Sequence, residues 1–61
     1  MKMMQLTLRT GKQFAVNPAH LVSVAKDPEG GSTLGLVGDD LGVPVREDYE
    51  QVLSSWSEAF G

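Results

Sequence analysis

Tyr49, Val52, Leu53, Trp56 and Phe60 recur at i, i+3, i+4, i+7 and i+11, a spacing that constrains the fold more than any other feature of the chain. At about 3.6 residues per turn these side chains form one stripe, which predicts an amphipathic helix over 49–60 whose stripe must be buried. Asp48 precedes it as N-cap, Gln51 completes a capping box three residues on, and Glu50 in the first turn complements the helix dipole. The stripe holds the only Trp, the only Tyr and one of two Phe, so most of the aromatic surface lies on one helix face. Two readings of Trp56 and Phe60 stay open: packing on the chain's own core, or filling a partner's groove as aromatic anchors do.

The remainder reads as strands. Met4, Leu6 and Leu8 alternate with Gln5, Thr7 and Arg9, the period-two pattern of a strand with one buried face. Gly11 supplies the turn, and Phe14 and Val16 resume the alternation, giving a hairpin with strands at about 3–9 and 13–16. Asn17-Pro18 stops it, with Asn as cap and Pro preset for one helical turn ending at His20. Strands follow at 21–26, 33–37 and 43–45, separated by the turns Asp27–Ser32 and Gly38–Gly42, and Pro44 marks the last strand as an edge because it cannot donate to a ladder. The predicted fold class is α+β: a small antiparallel β-sheet of about five short strands followed by one C-terminal amphipathic helix, in a single domain over 1–61.

Sixty-one residues lie near the lower limit for a self-sufficient core, since a chain of this length buries only about 60% of the surface it exposes when unfolded. With no Cys and one His, neither a disulfide nor a thiolate zinc site is available, which makes association with a second copy the expected aid, a homodimer first. The absence of Cys, of a signal-peptide pattern and of a bilayer-length apolar run predicts a cytoplasmic protein that does not insert into membranes. A net charge of -3 opposes tight non-specific binding to nucleic acid or anionic lipid, both of which rely on Lys and Arg.

No catalytic residue, metal ligand set or cofactor motif emerges. His20 has no nucleophile or carboxylate placed beside it by a motif and reads as a surface or structural histidine. Asp39-Asp40 lacks the spacing and closing Glu of a calcium loop, and Gly30-Gly31-Ser32 and Gly35–Gly38 neither open a helix nor precede Gly-Lys-Ser/Thr. They are turn formers. With no Cys and no nucleophile, base and orienter to assemble, an enzyme is not expected.

Two family resemblances accompany this reading. The run Leu6-Thr7-Leu8-Arg9-Thr10-Gly11-Lys12-Gln13-Phe14-Ala15-Val16-Asn17-Pro18, with Leu21-Val22 after it, resembles the FlbD/SwrD-type flagellar and swarming proteins, and Val43–Val52 is similar to their ending. Asp27–Gly42 departs from that pattern, with two glycine-rich turns where the family has a hairpin with a Thr-rich strand. The resemblance implies a small, non-enzymatic bacterial protein connected with motility, with phage-borne relatives sharing the fold without the role. The second resemblance is to the CsrA/RsmA carbon-storage regulators, RNA-binding homodimers with the same order of elements. It rests on Leu6-Thr7-x-Arg9-x-Gly11 and Val45-Arg46-Glu47-Asp48, and it implies Arg9 and Arg46 as an RNA-binding pair, although Leu8 stands where that family has a basic residue.

The functional expectation is therefore a non-enzymatic binding or regulatory protein, FlbD-like and oligomeric, with Tyr49, Val52, Trp56 and Phe60 as candidate interface residues. The alternatives are CsrA-like RNA binding through Arg9 and Arg46, and an oligomer that sequesters a charged metabolite or nucleotide between its subunits. A separate protein partner is a further alternative.

Overall fold

The computed structural model describes residues 2–60. Its elements are β1 (Met4–Thr7), β2 (Gln13–Val16), a 3-10 turn (Pro18–His20), β3 (Leu21–Lys26), β4 (Ser32–Leu36), β5 (Val43–Val45) and α1 (Tyr49–Phe60). All pairings are antiparallel, and the fold is a small α+β arrangement. The strands divide between two sheets, β1-β2 and β3-β4-β5. An isolated bridge between Leu8 and Val45 and the bond from the Arg46 N–H to the Thr7 carbonyl (2.8 Å) stitch the sheets together. β5 is thus the last strand of its own ladder, where Pro44 opposite Thr33 is tolerated.

Turn chemistry sets the register. At the first hairpin the Gly11 N–H donates to the Leu8 carbonyl, and Gly11 takes φ +96°, a conformation in which a Cβ would be strained. Asn17 caps the following turn, its Oδ1 accepting from the Ala19 N–H at 2.9 Å, and Pro18 behind it is buried. α1 begins where Gln51 reaches back, its Oε1 accepting from the Asp48 N–H at 3.2 Å, which is one arm of a capping box.

The core is formed by Met4, Leu6, Val16, Leu21, Leu34, Val45, Val52 and Ala59, with Phe14, Val24, Leu36, Val43 and Trp56 packed around it. On β4 the alternation places Ser32, Leu34 and Leu36 on the inward face, beginning one residue earlier than the 33–37 strand expected from sequence. Ser32 is wholly buried, and its hydroxyl donates to the Glu47 carbonyl at 2.8 Å. That bond satisfies the one buried polar residue of the core and fixes the chain between β5 and α1.

The helix departs from expectation in its rotation. A stripe running from Tyr49 to Phe60 should be buried as a whole, yet the fully enclosed helix residues are Val52 and Ala59, while Leu53 is 37% and Phe60 57% exposed. Tyr49 and Trp56 are half-buried. At about 100° per residue, Val52 and Ala59 lie within about 20° of each other, and Trp56, Tyr49, Phe60 and Leu53 follow at about 40°, 60°, 80° and 100° from Val52. α1 is therefore docked on one margin of its apolar arc. Trp56 holds this rotation, because its indole Nε1–H donates to the Pro18 carbonyl at 3.1 Å and so faces the 3-10 turn. No helix among the described residues is long and apolar enough to cross a membrane.

Candidate functional site

Two surfaces contain the residues expected from sequence to carry function. The first gathers Arg9 and Arg46, 37 positions apart in the chain, where the β1-β2 hairpin meets the β3-β4 turn and the end of β5. Arg46 donates from Nε (3.2 Å) and Nη2 (3.0 Å) to the Arg9 carbonyl, and its guanidinium lies over the Gly11 turn. Arg9 reaches the other way, pairing with Asp27 and donating from Nη2 to the Gly30 carbonyl at 3.0 Å. Asp27 also accepts from the Thr33 hydroxyl at 3.2 Å. Next to Arg46 in the chain, Glu47 turns its Oε1 to the Thr7 N–H, accepting it at 2.9 Å.

This arrangement answers the local need for hydrogen bonds. The Gly30 carbonyl in the Asp27–Gly31 turn and the Arg9 carbonyl present acceptors, and the two guanidinium groups supply their donors. The open depression lined by Arg9, Gly30, Gly31, Arg46 and Asp48 is a mixed-charge surface. The geometry brings together the two arginines implied by the RNA-binding resemblance, and it commits both to contacts within the chain. A phosphate there competes with Asp27 for Arg9 and faces Asp48 beside Arg46.

The second surface is the free margin of α1. Leu53, Trp56, Ser57 and Phe60 line a shallow apolar groove along its outer side. Of the candidate interface residues, Val52 is fully enclosed and belongs to the core, Tyr49 and Trp56 are half-buried, and Phe60 stands in solvent. Large apolar groups exposed side by side make this groove a candidate contact surface, and Met3, Val22, Val37 and Leu41 are exposed outside it. Ala59, Ser32 and Glu47 were missed as structural residues. Ala59 was readable seven positions after Val52, and Ser32 by extending the β4 alternation backwards, but no sequence signal marks Glu47.

His20 ends the 3-10 turn on the exposed surface, and its carbonyl accepts from the Val37 N–H at 2.8 Å. Asp39 makes a local turn by accepting the Leu41 N–H at 3.0 Å. Among the described residues no group of three His, Cys, Asp or Glu side chains is placed to hold a metal ion. Comparison with protein-family models, with curated proteins and with solved structures finds no match to this chain.

The docked side of α1 and its exposed face should respond differently to truncation. Trp56→Ala removes a core-flanking indole and strands the Pro18 carbonyl, and should destabilise the fold by about 3 kcal/mol. Glu58→Ala on the exposed face should change stability by less than about 0.5 kcal/mol. Urea denaturation of both variants checks the assignment, and equal small shifts would contradict it.

Proposed function

We propose that this chain is a non-enzymatic binding protein that works as an oligomer through apolar contact. The observation that carries this reading is the off-centre docking of α1, which leaves Leu53 and Phe60 in solvent beside a half-buried Trp56. The short chain and its lack of Cys add to it, because a second copy supplies the burial that one copy lacks. A cytoplasmic, FlbD-like role in motility, or that of a phage-borne relative, is the biological setting the sequence resemblance suggests.

RNA binding is the second reading, and the proximity of Arg9 and Arg46 is what favours it. Its weakness is electrostatic, since both guanidinium groups are already engaged and the chain carries a net -3. A gel-shift titration against a pool of structured RNAs at physiological salt separates the readings. The expected result is no shift at micromolar protein, for wild type and Arg46→Ala alike. Sub-micromolar binding abolished by Arg46→Ala would transfer the function to RNA recognition.

A further inference from the structure

The free margin of α1 has a spacing of its own. From Tyr49 to Leu53 is four residues, from Leu53 to Trp56 three, and from Trp56 to Phe60 four, which is the alternating step of a heptad seam, with Leu53 and Phe60 at a and Tyr49 and Trp56 at d. Val52 and Ala59, which dock the helix on the sheets, fall at g, to one side of that seam. A seam of this spacing, under two heptads long, has the shape to pack against one short helix. α1 is the only α-helix among the described residues, so the chain offers it no partner.

Resting on the oligomeric reading above, we propose that a second copy of this chain covers the seam, the two α1 helices packing antiparallel about a two-fold axis beside Ser57. The midpoint between Leu53 and Phe60 falls between Trp56 and Ser57, so this arrangement sets the Leu53 of each copy against the Phe60 of the other. Ser57, small and exposed, stands at the crossing and lets the helices approach. Charge fits the same geometry. No charged residue lies on the seam, Glu58 sits on the far face at about 240° from Val52, and antiparallel packing carries Glu50 past the other copy's Phe60 into water. The opposed helix dipoles are also favourable.

The free strand edges are poorer candidates. β3 is interrupted by a bulge between Leu21 and Ser23 and ends in Lys26, and β2 is four residues long, features that blunt sheet edges against pairing. The chain's accessible surface is 4202 Å², against about 3,900 Å² for a compact monomer of its mass, and Leu53 and Phe60 contribute to that excess together with Met3, Val22, Val37 and Leu41. A twelve-residue helix is only about 18 Å long, so the contact is smaller than the roughly 800 Å² per partner of standard interfaces. A contact of that size fits a weak, reversible dimer.

The chain has no Cys, so single-thiol variants report the arrangement directly. Ser57→Cys and Ser54→Cys both alter exposed positions of α1, the second turned about 60° further from the seam and lying three residues away from the crossing. Under mild oxidation at a concentration near the Kd, Ser57→Cys should form a disulfide-linked dimer about tenfold faster than Ser54→Cys, as expected for thiols held at an effective concentration on the order of millimolar. Adding Phe60→Ser should bring it down to the Ser54→Cys rate. Equal rates overturn the proposal, as does a faster Ser54→Cys. If equal rates occur while wild type still sediments as a dimer, the copies meet elsewhere and the oligomeric reading survives. If wild type is monomeric at every concentration, both fail.

Discussion

Leu34→Ala should lower the unfolding free energy by about 3–4 kcal/mol, the usual cost when a fully enclosed Leu is truncated and its surroundings only partly collapse. Leu34 is 0% exposed in the central strand of the three-stranded sheet, opposite Val24 on one neighbour and Val43 on the other. Across 61 residues the typical total is only about 3–9 kcal/mol. The variant should therefore be largely unfolded, or have a urea midpoint less than half that of wild type. Leu53→Ala, at a residue 37% exposed and outside the core, should lose about 1 kcal/mol or less in the monomer. A Leu34 variant as stable as the Leu53 variant would show that the core lies elsewhere.

Gly31→Ala should be comparably severe, for a different reason. Gly31 has φ +77°, where an L side chain is disfavoured by about 1–2 kcal/mol, and an added Cβ would lie 2.5 Å from the Val45 carbonyl oxygen. Val45 is 0% exposed, and that oxygen belongs to a strand held between β4 and the Leu8 bridge. It has nowhere to retreat. The strain and the displacement together should remove about 3 kcal/mol or more. Gly30→Ala is the internal control, because φ +100° imposes the conformational penalty while a Cβ there meets open space. It should lose only about 1–2 kcal/mol. Thermal unfolding of the two variants side by side tests the close approach, and indistinguishable transitions would contradict it.

Much of the fold was legible because local physics fixed it. Alternation marked β1 through Met4 and Leu6, Gly11 fixed the hairpin, and Asn17-Pro18 specified a capped turn that the structure places at Pro18–His20. Pro44 identified β5 as the end of a ladder. The division of the strands into two sheets was not legible, because it depends on the Leu8 bridge to Val45 and on Glu47 holding the Thr7 N–H across 40 positions. Periodicity in α1 gave the helix and its apolar arc, but not the rotation of that arc on the sheets. That rotation follows from Trp56 meeting the Pro18 carbonyl, a contact between residues 38 apart. For the same reason the sequence could not say which aromatic residues were core and which stood free. In the arginine cluster, the resemblance to the carbon-storage regulators implied RNA contact, whereas the fold commits both side chains to carbonyls and a carboxylate.

The most direct test of apolar self-association is its response to salt. Each copy carries -3, so two copies repel in dilute buffer, while the Leu53–Phe60 contact has no charge to screen. In sedimentation equilibrium at about 50 μM protein, the dimer fraction of wild type should rise as ionic strength goes from about 0.05 to 0.5 M, the opposite of the fall expected for phosphate contacts. Phe60→Ser should be monomeric throughout and melt within about 3 °C of wild type when both are dilute enough to be monomers, since Phe60 is 57% exposed. A wild-type chain that stays monomeric, or whose association weakens with salt, would contradict the account.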